Sequence, residues 1–144
     1  MIPFELESGL DQTPAENQAA ETIDVSTFVL SLLQVRDQAH ILHWQTKSIA
    51  QHGAFGDFYG EFLSLTDMIV EQIMGKYGRF KVGGCGIVFM DYDEAMPIFI
   101  QNIEKIFLDD FECLFDAESN TELYNTRDEF LSLKNKLSYL LTLS

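Results

Sequence analysis

From Phe28 to Thr46, apolar positions return at spacings of four and three: Phe28, Leu32, Val35, Ala39, Leu42 and Thr46. An α-helix turns about 100° per residue, so this set forms one stripe and predicts a helix over about 24–46. A second set, Val29, Leu33, His40 and Trp44, lies roughly 120° around the same axis. A helix with two apolar stripes needs cover on both, and the second predicts contact with another chain. The pattern recurs between Ala54 and Tyr77, where Phe55, Phe58, Phe62, Leu65 and Ile69 form the core stripe. Asp67 and Glu71 fall on nearly the opposite face, flanked by Leu63, Val70 and Met74.

The stretch KVGGCGIVFMDY, residues 81–92, breaks this period with three glycines and reads as a connector. It holds neither GxxxxGK[ST] nor GxGxxG, so it is no phosphate loop. Extended at about 3.3 Å per residue, it can run back along a helix of some 24 residues, a long crossover between two helical hairpins. A third helix is expected from about Asp93 to Ala117, with Pro97 in or near its first turn. Met96, Phe99, Ile100, Ile103, Ile106, Phe107 and Leu114 give it a broad core face. Ser119 and Glu122 carry the spacing of a capping box, and Leu123, Phe130, Leu133, Leu137 and Leu140 continue a fourth helix behind them. The expected fold class is all-α, a four-helix bundle over 23–144 with a long crossover between helices 2 and 3. Residues 1–22 carry Glu5, Glu7, Asp11, Glu16 and Glu21 with no basic residue, and so read as an acidic N-terminal arm outside the core.

Composition narrows the functional classes. The 144 residues are 47% hydrophobic and include twelve Phe, enough for one domain with a real core. Nine Lys plus Arg stand against twenty-three Asp plus Glu, a net charge of −14. With no basic cluster, nucleic acid is not an expected partner, whereas cations are concentrated at such a surface. Cys85 and Cys113 have no motif spacing. Neither a signal peptide nor an apolar run near the ~20 residues of a membrane span is present, so the expected location is cytoplasmic and soluble.

Every histidine lies in HILHWQTKSIAQHG, as His40, His43 and His52. Imidazole with carboxylate suits Fe(II), Mn(II) or Zn(II). His40 and His43 sit near the end of the first helix and His52 just before the second. Asp67 and Glu71 follow His52 by 15 and 19 residues, more than about 20 Å along a helix. One chain cannot gather these groups around one ion. Two chains can, if their second helices pack antiparallel across a two-fold axis. The plainer alternatives are packed histidines and a solvated carboxylate face. His40, one turn after Asp37, is expected at an interface or hydrogen-bonded to a ligand, and Trp44 as an interface anchor. Asp109, Asp110 and Glu112 read as surface acids. Gly56 and Gly60 share the carboxylate face, either to admit a partner helix or because the helix starts loosely there.

The run HWQTKSIAQHGAFGDFYGEFLSLTDMIVEQI resembles the signature of the Dps-like ferritins, miniature members of the ferritin-like superfamily. In that family an HW pair closes the first helix, a second His opens the next, and a D-x-x-x-E pair follows fifteen residues later. The resemblance implies a homo-oligomer built from two-fold dimers into a dodecameric shell. It also implies a ferroxidase that oxidises Fe(II), often with hydrogen peroxide, and stores the ferric product. Carried over by position, His43 and His52 would be ligands from one subunit, and Asp67 and Glu71 from its mate, as a di-iron or mono-iron site. Three departures stand out. The loop from His43 to His52 is three residues shorter than in the family. Gly56 occupies the place of a bridging Asp, with Asp57 beside it as a weak substitute. The arm lacks lysines, so DNA binding is not carried over. These departures leave open an alternative, a ferritin-fold structural or interaction protein with a degenerate metal site.

Overall fold

The computed structural model describes residues 24–84 and 86–144, and their regular structure is entirely helical. The acidic arm at 1–22 lies outside the described residues. Helix α1 spans Val25–Gln45, α2 spans Ile49–Tyr77 and α4 spans Thr121–Leu141. Between them α3, residues 92–114, is a composite. It runs as α-helix over Tyr92–Ala95, 3₁₀ over Met96–Ile98, α over Phe99–Glu104, π over Lys105–Asp110, and α again over Phe111–Leu114. The all-α expectation holds. No described helix is long and apolar enough to cross a membrane.

Local chemistry sets the boundaries. Asp24 accepts the Thr27 N–H at 2.8 Å and starts α1, which satisfies a donor the helix cannot pair itself. Ser48 accepts from the Gln51 N–H at 3.2 Å and starts α2. That start is five residues earlier than the apolar period indicates, because Ile49 faces solvent (86% exposed) and does not join the stripe. His52 therefore lies inside the first turn of α2 and not ahead of it. Gly78, at φ +87°, closes α2 in a backbone region that side chains avoid.

The capping box expected at Ser119 and Glu122 does not form. Asn120 is the cap residue of α4. The Ser119 N–H and hydroxyl both turn to Asp116, and Glu122 accepts from Lys76 Nζ at 2.8 Å. The third helix also ends earlier than expected, at Leu114. Pro97, without an N–H to give, sits in the 3₁₀ turn. The π turn then adds a residue to one turn and shifts the following face by about 100°. Phe111, four residues after Phe107, continues the core stripe, and Phe115, just past the helix end, packs on Phe28 and Phe111; both are buried.

Contacts fix the directions of the helices. The three-residue turn 46–48 makes α1 and α2 antiparallel. Lys76 meets Glu122 at one end of α2 and Glu61 meets Lys136 toward the other, so α4 is antiparallel to α2. The link out of α2 returns along α1. Gln34 Nε2 donates to the Val88 carbonyl at 2.8 Å, and Gln38 holds both the N–H and the carbonyl of Met90 at 2.9 Å. Gln45 then donates to Asp91 at 2.8 Å and accepts the Tyr92 N–H at 2.7 Å. Helix α3 thus begins beside the end of α1 and runs parallel to α2. The core between the helices is aromatic. Phe28 packs on Phe107 and Phe111, and Phe130 stacks on Phe107 with ring centroids 4.5 Å apart.

One expected surface acid is buried. Asp110 is 5% exposed and accepts from Lys105 Nζ at 2.7 Å across the π turn. Five residues separate the two, the spacing that a π turn brings onto one face. Its neighbour Glu112 pairs with Arg127 at 3.1 Å, and the same guanidinium reaches the Phe107 carbonyl at 3.3 Å.

Candidate metal-binding site

The tight α1–α2 turn brings His43, in the last turn of α1, against His52, in the first turn of α2. Their rings stack with centroids 3.7 Å apart and planes 20° from parallel. His43 Nδ1 donates to the His52 carbonyl at 2.6 Å, and His52 Nδ1 donates to the His43 carbonyl at 2.9 Å. A carbonyl oxygen only accepts, so each Nδ1 carries a hydrogen, and the neutral tautomer compatible with these bonds has its lone pair on Nε2. The His43 carbonyl is one of the last four of α1, which find no partner within their own helix. A histidine from the next helix satisfies it.

Aromatic neighbours hold the pair. Tyr59 meets the His43 ring edge-on at 5.5 Å and stacks on His40 at 4.2 Å, while Trp44 lies 4.0 Å from His40 on the same helix. Trp44 itself is 66% exposed. The spacing of Asp37 and His40 does not join them: Asp37 pairs with Arg36 at 2.9 Å, and the His40 ring is held by aromatic packing. Gly56 has a specific role. A Cβ placed there would lie 3.2 Å from His43 Cε1 and 3.3 Å from His43 Nδ1. The missing side chain makes room within the chain for its own histidine. A Cβ on Gly60 would meet nothing within 4 Å.

The carboxylates lie elsewhere. Asp67 and Glu71 are exposed on α2, about 22 and 28 Å along the helix from His52 at 1.5 Å per residue. Asp57 does not substitute at Gly56. It lines a shallow groove against α4 with Glu61 and Lys136. No group of three or more His, Cys, Asp or Glu able to hold an ion occurs among the described residues. The imidazole pair also fails to chelate as it stands. Two imidazoles on one tetrahedral ion, with metal–nitrogen bonds of about 2 Å, keep their centroids about 5 Å apart and their planes well apart in angle. The stack offers single Nε2 donors, and both reach one ion only after it opens.

The sequence profile of a family of unknown function, DUF5856, matches residues 43–141, well over half of the chain. The chain belongs to that family. No curated protein and no solved structure shows significant similarity to it. The DUF5856 match begins at His43 and includes His52, Gly56, Asp67 and Glu71.

Sequence reasoning passed over several residues that order the surroundings of the histidines. Gln51, next to His52, accepts hydrogen bonds from Thr46 Oγ1 at 2.7 Å and the Tyr92 hydroxyl at 2.6 Å. It thereby ties the α1–α2 turn to the start of α3. With Gln45, Lys47, Asp91 and Asp93 it borders an open polar cleft. Gln34, Gln38 and Gln45 share one face of α1, a spacing of four and seven that is visible in the sequence.

Proposed function

We propose that this DUF5856 protein is a ferritin-like bundle of the Dps-like kind, which takes up Fe(II) as substrate between paired copies. The observation that carries the reading is the tautomer geometry. Both imidazoles are tied through Nδ1 to backbone carbonyls, the arrangement that orients a metal-ligating histidine and leaves Nε2 as donor. The helix connectivity supports it as well, since a link that returns along α1 and leaves α2 and α3 parallel is that of ferritin-like bundles. Antiparallel packing of two α2 helices through their outer faces would set His43 and His52 of one copy against Asp67 and Glu71 of the other. Exposed Trp44 and the half-exposed Leu63 on that side supply apolar surface for such a contact. The ligands would fix ferrous ions while peroxide takes one electron from each of two of them.

Anaerobic Fe(II) titration followed by peroxide-driven oxidation tests this, with His43→Ala, His52→Ala and Asp67→Ala beside the wild type. The expected result is a stoichiometric ferrous site and at least a tenfold slower oxidation in each variant. Identical binding and kinetics in all four proteins would refute the reading. One observation favours a second reading, an interaction protein with a degenerate site: the histidines satisfy each other, and Gly56 replaces the carboxylate that would bridge them. That reading predicts a stable oligomer that binds no stoichiometric iron.

A further inference from the structure

We infer that the acidic arm ahead of α1 docks on the end of the bundle from which it emerges, over Arg79 and Lys81 at the start of the crossover link and the exposed ring of Tyr77. The inference stands apart from the metal-binding reading above. Phe28, in the first turn of α1, and Tyr77, the last residue of α2, both pack on Phe115, with ring centroids 6.2 and 5.8 Å away. The start of α1 and the start of the link therefore share one end of the bundle. Charge singles out the same place. Arg36, Lys76, Lys105, Arg127, Lys134 and Lys136 each pair with an acid, whereas Lys47, Arg79 and Lys81 form no ion pair among the described residues. Arg79 and Lys81 are both exposed, in a chain whose net charge is −14. At the adjoining α3–α4 corner, Asp116 is engaged by Ser119 and Glu122 by Lys76.

The arm has the matching chemistry. Glu5, Glu7, Asp11, Glu16 and Glu21 stand with no basic residue among them, and Phe4, Leu6 and Leu10 are interleaved with the first of these acids. At about 3.3 Å per residue, Glu21 reaches about 10 Å from Asp24 and Glu16 about 26 Å. Packed helices lie about 8–10 Å apart, so both acids can cross the end of the bundle. Single exposed ion pairs are weak, and a free acidic peptide would hold such a surface poorly. A tethered segment is present at an effective concentration on the order of millimolar, which favours the chain's own arm over a separate partner. Tyr77, 53% exposed, offers a ring on which an apolar arm residue can pack. Docked, the arm neutralises the free cations of this end and covers it against other anions.

Zero-length carbodiimide coupling of the full chain, which joins a lysine amine to a carboxylate in contact with it, provides the test. An equal mixture of ¹⁵N-labelled and unlabelled protein separates links within a chain from links between chains by mass. Lys81 should couple to arm acids within one chain. Lys47, the exposed cation at the opposite end of the hairpin, is the control. The arm yield at Lys81 should exceed that at Lys47 by about fivefold at low salt and should fall by about the same factor in about 1 M salt, where the screening length is about 3 Å. Arg79→Glu, at an exposed position with no ion pair to lose, should lower the Lys81 yield in the same way without disturbing the fold. Equal arm yields at Lys47 and Lys81 would overturn the docking, as would a Lys81 yield indifferent to both salt and Arg79→Glu. Links at Lys81 found chiefly between labelled and unlabelled chains would overturn the intramolecular seat and make a second copy's arm the occupant.

Discussion

At the scale of single residues, the most informative side chains are polar ones placed where the apolar pattern draws no attention. Gln38 is fully buried and clamps the Met90 peptide with its amide, donating to the carbonyl and accepting from the N–H, both at 2.9 Å. The link has no secondary structure of its own here, so its peptide groups must find partners elsewhere. Replacing Gln38 with Met keeps the volume and removes both bonds. The expected cost is about 2 kcal/mol, from two lost hydrogen bonds and a partly buried peptide left unpaired. A urea denaturation curve measures it; a loss below about 0.5 kcal/mol would show that water replaces the clamp without penalty. The apolar core residues, by contrast, were legible in the sequence. Phe28, Leu32, Val35, Ala39 and Leu42 recur at the helical period, and all are buried. Gln38 was not legible, because a buried glutamine looks like a surface one until its backbone partner is known. Gly56 was visible as an oddity on the α2 face, but its reason, room for His43 from the same chain, required the fold.

Among the elements, what the sequence conveyed was the number and order of helices, and what it did not convey was where their ends lie and how α3 is wound. Periodicity measures which face is covered, while caps and turns decide the ends. Thus Ser48 moves the start of α2 ahead of its stripe, and Asp116 withdraws Ser119 from the cap of α4. The π turn at Lys105–Asp110 leaves no period of its own in the sequence and shows itself in the structure through the Lys105–Asp110 pair, five residues apart. The α3–α4 corner is also where charge makes stability depend on pH. Hydrogen bonds from the Ser119 side chain and backbone hold Asp116 below its ordinary range, and a hydrogen bond from Lys76 does the same for Glu122. The Glu122 bond holds Lys76 above its ordinary value. A carboxylate with a lowered folded pKa adds stability that is complete above its unfolded value and is lost as pH falls through the folded one. The lysine works in the opposite sense. Its contribution is complete below its ordinary value and is lost only as pH rises through the raised one. Asp116→Asn and Glu122→Gln should therefore lower the urea midpoint at neutral pH, with the difference from wild type closing as pH drops below about 4. All of these groups are exposed, so the changes will be small. A gap that widened on acidification would contradict the assignment.

For the whole molecule, the deciding question is which faces the four helices leave uncovered. Bundle interiors are filled by Phe side chains from all four helices, yet the turn end of the α1–α2 hairpin keeps Trp44 at 66% exposure and Ile49 at 86%. Large apolar side chains scattered singly over a surface need no explanation, but Trp44 belongs to an aromatic row with His40 and Tyr59. The two apolar stripes of α1 were readable from spacing. One stripe proved less free than the spacing suggested, since Val29 is buried within the chain, while Leu33 stays exposed. The histidine end is where a two-fold contact would have to form if Asp67 and Glu71 of one copy are to reach His43 and His52 of another. Such a contact makes assembly and metal uptake inseparable, because neither copy alone holds a complete ligand set. Light scattering on the purified protein should give a mass that is a multiple of two chains at micromolar concentration. Trp44→Ala, which removes the most central aromatic of this surface while leaving the core untouched, should shift that mass toward the monomer and weaken Fe(II) binding in parallel. If Trp44→Ala dissociates the protein and leaves ferrous binding intact, the imidazoles and carboxylates are not joined between copies, and the shared-site geometry fails even though the association itself is real.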